Sequence, residues 1–225
     1  MNAKRFVLTL ILGLLFFVGA SAQEATQEIK TFLALGDSYT IGESVEVEMR
    51  WPMQLAQALK AQKSTLKPTL IAKTGWTTDE LPESINQAAL DDSYDYVSLL
   101  IGVNNQYRGR SVASFEPEFT ILLKRAIAFS KNKTDGVFVL SIPDWGVMPF
   151  AEGRDRKQIA HEIDAYNARI ERICKTYGVR YFNITEISRQ ASENADLIAV
   201  DGLHPSGAMF AEWVQAILPF FKASL

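Results

Sequence analysis

The feature that most constrains the fold is a short apolar run that stops abruptly at Gly36-Asp37-Ser38. Residues 32–35 read Phe-Leu-Ala-Leu, which is typical of a strand buried on both faces of a parallel sheet. Gly36 permits a sharp turn after this strand. Open α/β sheets bind their ligands at the carboxyl ends of strands, so Ser38 is predicted to lie at such a site. Ser38 then either caps the next helix or presents its hydroxyl as a nucleophile.

Four further apolar runs predict strands, at residues 69–72, 96–101, 137–140 and 179–182. Segments with helical spacing of apolar residues separate them. This alternation is typical of a parallel sheet with right-handed crossovers and helices on both faces. The sequence therefore predicts a three-layer α/β/α sandwich around a five-stranded parallel sheet. The helices are predicted to start at or just after Trp51, Leu81, Ser114, Asp155 and Ser206.

The first three predicted strands each run into a block that contains a glycine, namely Gly36, Gly75 or Gly102. The carboxyl ends of parallel strands lie along one edge of the sheet, so we expect these blocks to converge in space. The loop over residues 142–154 follows the fourth strand at the same edge. Its length allows it to shape a pocket beside the three blocks.

A candidate base lies near the other end of the chain, in Asp201-Gly202-Leu203-His204-Pro205. A nucleophilic serine needs a base to take its proton, and the base needs a third group to orient it. The three-residue separation lets Asp201 accept a hydrogen bond from one imidazole nitrogen, which leaves the other for Ser38. A lone histidine near a turn is commonly a solvated surface residue, but the nearby aspartate and the early serine favour catalysis. The other histidine, His161, lies off the apolar stripe of its helix and is expected to be exposed and non-catalytic.

On these residues the sequence resembles the SGNH (GDSL) hydrolase superfamily. Four short blocks identify that superfamily, and all four have matches here in the right order: residues 36–38, Gly75, residues 102–105 and residues 201–204. The third block departs from the pattern, because it ends in Asn105 where the family usually has aspartate. The resemblance implies a flavodoxin-like SGNH hydrolase fold, a GDSL-like lipase or esterase activity, and no cofactor or metal.

The resemblance also implies the roles of individual residues. Ser38 is the implied nucleophile, His204 its base and Asp201 the acid that orients the base. The implied oxyanion hole consists of the backbone N–H groups of Ser38 and Gly75 and the side-chain amide of Asn104. Glycine lets the backbone approach the acyl oxygen closely, and asparagine is a donor that does not titrate. Loop residues at the same edge are the candidate walls of the substrate pocket: Trp76, Tyr107, Arg108, Trp145 and Phe150.

Two classes of function remain open. The first is a serine hydrolase of carboxylic esters, with an acyltransferase, a thioesterase or a lysophospholipase as alternatives on the same site. The second is a non-catalytic carbohydrate- or lipid-binding protein on the same fold, against which the intact set of five site residues argues. The fold does not choose among lipid esters, thioesters and acetylated sugars. Short aromatic loops at the active edge predict an open, shallow site that favours small or sugar-borne esters.

Composition excludes several other classes of protein. Apolar residues make up 48% of the chain, 22% are charged and the net charge is -3, as in an ordinary globular protein without affinity for nucleic acid. The sequence has neither a Walker loop nor a Gly-x-Gly-x-x-Gly motif, so it gives no support for nucleotide binding. Two histidines and one cysteine offer few ligands for a metal site. Nothing in the sequence indicates an oligomeric state.

The first 22 residues have the pattern of a signal peptide. Lys4-Arg5 forms a basic start, residues 6–18 are apolar, and Ala20-Ser21-Ala22 is a small-residue cleavage site. The apolar run is shorter than the ~20 residues that span a bilayer comfortably. We therefore expect the mature chain to begin at Gln23, to be exported (periplasmic or extracellular in a bacterium), and not to stay inserted in a membrane. An uncleaved anchor is the alternative, and residues 23–225 are predicted to form a single hydrolase domain.

Overall fold

The computed structural model describes residues 29–222, which contain one sheet of five parallel strands. The strands are β1 (Ile29–Gly36), β2 (Thr65–Ala72), β3 (Tyr96–Leu100), β4 (Val137–Leu140) and β5 (Arg180–Phe182). Their order across the sheet is β2-β1-β3-β4-β5. This is the flavodoxin-like order of doubly wound α/β folds. The predicted fold class is confirmed.

The burial of each strand follows its place in the sheet. Every side chain of β3 and β4 is buried, because helices cover both faces of the central strands. Strand β2 lies at the edge, and most of its side chains are only half-buried. It begins at Thr65, four residues before the predicted start, and includes Pro68. Proline has no backbone N–H to donate. An edge strand tolerates it because one side of the strand has no neighbouring strand that would accept a hydrogen bond.

Helices fill the connections between the strands. They are α1 (Ser38–Ile41), α2 (Trp51–Ala61), α3 (Leu81–Gln87), α4 (Val103–Tyr107), α5 (Val112–Phe129), α6 (Arg156–Tyr177), α7 (Thr185–Arg189) and α8 (Gly207–Lys222). Helix α5 starts one turn earlier than predicted. Ser111, not Ser114, is its N-cap, because the Ser111 hydroxyl accepts a hydrogen bond from the Ser114 backbone N–H at 3.1 Å.

Two helical layers enclose the sheet. Helices α2 and α8 pack together on one face, where Trp51 lies 5.9 Å from Phe32 and Phe221 lies 5.7 Å from Phe138, measured between ring centroids. Helices α5 and α6 pack against each other as a second pair, and Phe115 of α5 is fully buried. These aromatic contacts make the sheet a rigid support for the loops at its carboxyl edge.

The strand register determines where, along the carboxyl edge of the sheet, the loops of the site begin. Gly36 at the end of β1 pairs with Ala72 of β2 and with Leu100 of β3. Glycine is required at position 36 because a Cβ atom there would lie 2.1 Å from the Thr40 hydroxyl oxygen and 2.3 Å from the Leu100 carbonyl oxygen. Close packing against Thr40 and Leu100, as well as the sharp turn, therefore explains why a glycine occupies position 36.

Residues 29–222 contain no helix that is long and apolar enough to cross a membrane. The predicted signal peptide over residues 1–22 lies outside the described residues, so its cleavage and the export of the chain remain predictions.

Candidate active site

Ser38 is the first residue of α1, the single helical turn that follows β1. The Asp37 carboxylate caps this turn by accepting a hydrogen bond from the Tyr39 backbone N–H at 3.1 Å. The Ser38 carbonyl oxygen accepts hydrogen bonds from the backbone N–H groups of Gly42 and Glu43, both at 3.0 Å. The backbone of the turn is thus held at both ends. The Ser38 side chain lines a pocket and has no hydrogen-bond partner within residues 29–222.

Asp201 and His204 are paired as their spacing predicts. The imidazole Nδ1 of His204 lies 2.6 Å from Asp201 Oδ2, while Asp201 Oδ1 accepts hydrogen bonds from the backbone N–H groups of Leu203 and His204, each at 2.9 Å. Burial raises the pKa of Asp201, but hydrogen bonds from Ser44, His204 and the backbone outweigh it and hold this pKa well below its usual value. Asp201 is therefore ionised at neutral pH and can stabilise a protonated imidazole.

Gly75 and Asn104 lie in the same pocket as Ser38 and His204. Gly75 has a φ of +88°, which favours glycine over any residue with a side chain. The Asn104 side-chain Nδ2 donates to the Trp76 carbonyl oxygen at 2.9 Å. An amide nitrogen carries two hydrogens, so the second remains available to a bound acyl oxygen.

The pocket has a volume of about 190 Å³ and a mainly apolar lining. Eleven residues line it: Ser38, Tyr39, Thr74, Gly75, Val103, Asn104, Tyr107, Trp145, Phe150, Leu203 and His204. In the part of the chain that the structure describes, no group of three or more His, Cys, Asp or Glu side chains is arranged to hold a metal ion. The polar groups that face the pocket include a hydroxyl, an imidazole and amide groups, which are the kinds of group that acyl transfer requires.

Tyr107, Trp145 and Phe150 form one aromatic wall of the pocket. Their ring centroids are 5.4 to 6.3 Å apart. The Trp145 indole Nε1 donates to Gln106 Oε1 at 2.8 Å, which fixes the orientation of the ring. The guanidinium carbon of Arg154 lies between 5.2 and 5.7 Å from all three ring centroids, within cation–π range. No local sequence pattern indicates this position of Arg154.

Two of the predicted pocket residues do not line the pocket. The Arg108 guanidinium donates to the Gly75 carbonyl oxygen at 2.7 Å and pairs with Glu80 at 3.2 Å. Arg108 therefore supports the loop that carries Gly75 instead of contacting the pocket. Trp76 is half-buried and packs against the hydrophobic core. Arg108 and Trp76 are thus not among the residues that the structure brings to the pocket wall.

Tyr39 is a further pocket residue that the sequence blocks do not predict, and it lines the pocket although it is only 2% exposed. Its ring meets the His204 imidazole edge-on, with 5.8 Å between the ring centroids. The position of Tyr39 directly after Ser38 was the available signal. His161, in contrast, is exposed on α6 and lies outside this pocket, as predicted.

Asp37 is a fully buried carboxyl group directly before Ser38. Its Oδ2 atom has no hydrogen-bond partner among the described residues. Burial raises the pKa of Asp37 from 3.8 to about 7, against the lowering effect of backbone N–H groups that include those of Tyr39 and Gly102. The folded protein therefore binds this proton more tightly than the unfolded chain, so the contribution of Asp37 to stability falls as pH rises from about 4 through 7.

We expect Asp37→Asn to stabilise the protein more at pH 8 than at pH 5. Asparagine also caps helices and carries no charge, so the cost of ionising a buried carboxyl disappears. The gain in free energy of unfolding should grow by at least about 1 kcal/mol over this interval, since one pKa unit corresponds to ~1.4 kcal/mol. Urea unfolding at both pH values measures it. The exposed Asp92→Asn is the matched control, and an equal effect of Asp37→Asn at both pH values would contradict the prediction.

A family match extends over most of the chain. The profile of the GDSL-like lipase/acylhydrolase family matches residues 34–211, which include all four blocks described above. No curated protein sequence matches the chain.

Solved structures share the fold at low sequence identity. A crystal structure of TesA is 16% identical with a TM-score of 0.67, and the match covers 87% of this chain and 100% of TesA. A lipolytic G-D-S-L protein from Veillonella parvula is 13% identical with a TM-score of 0.70, over 87% of this chain and 99% of that one. Axe2, an acetylxylan esterase from Geobacillus stearothermophilus, is 17% identical with a TM-score of 0.67, over 85% and 93%.

The profile match covers far more than half of the chain, and the fold is that of the similar structures. The resemblance drawn from the sequence blocks is thereby confirmed. The chain belongs to the GDSL-like lipase/acylhydrolase family of ester-hydrolysing enzymes.

Proposed function

We propose that this protein is an exported serine esterase that cleaves esters of short acyl groups through an acyl-enzyme on Ser38. The observation that carries the proposal is the meeting of Ser38, His204, Gly75 and Asn104 in one pocket of about 190 Å³. The 2.6 Å contact between His204 Nδ1 and Asp201 Oδ2 supports His204 as the base. Export is proposed from the basic, apolar and small-residue pattern of residues 1–22.

In the proposed reaction, Ser38 Oγ attacks the ester carbonyl carbon while His204 Nε2 takes the hydroxyl proton. The negative charge that develops on the carbonyl oxygen is stabilised by the N–H groups of Ser38 and Gly75 and by the Asn104 amide. The C–O bond to the alcohol then breaks, and His204 gives its proton to the leaving oxygen. Water next attacks the acyl-enzyme while His204 takes a proton from it. The acyl C–Oγ bond then breaks, His204 returns the proton to Ser38 Oγ, and the carboxylic acid leaves.

The pocket also supports a preference for short acyl chains. Pockets for drug-sized ligands hold ~300–1,000 Å³, whereas this one holds about 190 Å³. The aromatic wall of Tyr107, Trp145 and Phe150 bounds it on one side. A long acyl chain would leave most of its methylene groups in solvent and would gain little from them.

We expect p-nitrophenyl acetate and butyrate to be hydrolysed with higher kcat/KM than decanoate and longer esters, without a rise in rate at a lipid interface. Each additional buried methylene would contribute ~0.8 kcal/mol, so a deep acyl tunnel would give a steadily rising kcat/KM. A chain-length series from acetate to palmitate measures this preference. An increase up to palmitate would indicate a lipase or lysophospholipase instead.

Labelling with a fluorophosphonate tests the class of enzyme directly. We expect the wild-type protein to be labelled on Ser38, and Ser38→Ala to remain unlabelled. Release of the free carboxylic acid, measured beside the alcohol, separates hydrolysis from acyl transfer. A folded wild-type protein that neither reacts with the probe nor releases acid would refute the proposed esterase and favour a binding protein.

A further inference from the structure

We propose that Ser44 is a positioning residue that holds the Asp201 carboxylate in the orientation that His204 requires. This inference rests on the proposed function. The Ser44 hydroxyl donates to Asp201 Oδ2 at 2.6 Å. The same oxygen lies 2.6 Å from His204 Nδ1. Ser44 therefore acts on the atom that orients the imidazole, although 157 positions of sequence separate Ser44 from Asp201.

The carboxylate has a complete set of partners only when Ser44 is included. Asp201 Oδ1 accepts two backbone N–H groups, those of Leu203 and His204. Asp201 Oδ2 accepts the imidazole and the Ser44 hydroxyl. The Asp201 side chain is 29% exposed, so water can reach it and compete with these partners. A fixed hydroxyl limits rotation of the carboxylate in a way that mobile water does not.

The backbone around Ser44 is shaped to aim this hydroxyl. Ser44 has a φ of +63°, a left-handed conformation that is uncommon for a residue with a side chain, and it lies two residues after Gly42, which has a φ of +68°. The preceding N–H groups of Gly42 and Glu43 both donate to the Ser38 carbonyl oxygen. The turn that carries the candidate nucleophile therefore also carries Ser44 back toward the acid. Strained residues of this kind commonly persist at functional sites.

A second contact of the same turn reaches the glycine block. The Glu43 carboxylate accepts a hydrogen bond from the Thr74 hydroxyl, beside Gly75. The two adjacent residues Glu43 and Ser44 thus join the Ser38 turn to two of the other three blocks of the candidate site, those that contain Gly75 and Asp201. A residue that merely terminated α1 would need neither contact. This arrangement supports a positioning role over a general structural one.

We expect Ser44→Ala to lower kcat about tenfold while KM changes little, because the hydroxyl does not face the pocket and a hydrogen bond to a charged group is commonly worth a factor of this size. The downfield proton resonance of His204 Nδ1–H should broaden or move upfield, since a loosely held carboxylate makes a weaker hydrogen bond. That signal needs no substrate. It therefore tests Ser44 even if the proposed esterase activity fails, whereas fluorophosphonate labelling of the wild type tests the activity alone.

Two further variants at position 44 separate the effect of losing the hydroxyl from the effect of backbone strain. Ser44→Gly relieves the left-handed backbone, so its melting temperature should be unchanged or higher, yet it should lose as much kcat as Ser44→Ala. Ser44→Thr keeps the hydroxyl but adds a branched carbon at positive φ, so it should melt at a lower temperature and keep most of its kcat. Lys63→Gly is the matched control, because Lys63 has the same φ of +63° on an exposed turn after α2.

Full kcat in Ser44→Gly, or an unchanged Nδ1–H resonance in Ser44→Ala, would overturn the proposal. The same holds if folded Ser44→Thr loses as much kcat as Ser44→Ala, or if Lys63→Gly loses as much as Ser44→Gly. If Ser44→Thr does not fold, the alanine and glycine variants still decide the question, since both remove the hydroxyl and only one keeps the backbone strain.

Discussion

Replacing either Ser38 or His204 with alanine is expected to lower kcat for ester hydrolysis by about 10⁴-fold or more, and the double variant should lose little beyond that. The reason is that nucleophile and base act as one unit. Without the base the Ser38 hydroxyl stays protonated, and without the serine the imidazole has no nucleophile to activate. Initial rates with p-nitrophenyl acetate for both single variants and the double variant measure the effect.

The protein contains a natural control for this experiment. His161 is the other of its two histidines, and it is exposed on α6, outside the candidate active-site pocket. His161→Ala should therefore leave the rate near that of the wild type. A folded His161→Ala that is as inactive as His204→Ala would identify His161 as the base. A double variant that loses far more than either single variant would contradict the assignment of Ser38 and His204 to one unit.

Asn104→Ala is expected to lower kcat by about 10²–10³-fold with little change in KM, the usual loss for one oxyanion donor. The Asn104 amide contributes mainly when negative charge develops on the acyl oxygen. Its removal therefore destabilises the transition state more than the bound substrate. Steady-state kinetics on a short-chain ester measure both constants. An unchanged kcat would remove Asn104 from the oxyanion hole.

Asn104 also donates to the Trp76 carbonyl oxygen, so the variants need a test of folding. Asn104→Asp keeps the shape of the side chain but replaces the amide donor with an acceptor, and it should be at least as damaging as alanine. The exposed Asn86→Ala on α3 is the control for a loss of an asparagine elsewhere. Melting temperatures of all three variants separate a loss of catalysis from a loss of structure.

The fold could be predicted because its strands are short, apolar and regularly separated by helices. Residues 32–35 and 137–140 are fully buried in the structure, and burial on both faces is what makes a strand apolar at every position. The boundaries at the edge of the sheet were less predictable. Strand β2 runs through Pro68, since only one side of an edge strand must donate hydrogen bonds. Helix α5 is capped by Ser111, which lies in the same turn as the predicted Ser114.

The sequence by itself determined the blocks around Ser38, Gly75, Asn104 and His204, because each block has a local pattern and parallel strands bring their ends to one edge. Tertiary structure alone decided which side chains meet there. Arg108 pairs with Glu80 and is not among the residues that line the pocket. Ser44 reaches Asp201 across 157 positions of sequence. Such contacts depend on rotamers and on the packing of distant segments, and no local pattern of residues encodes the distance between them.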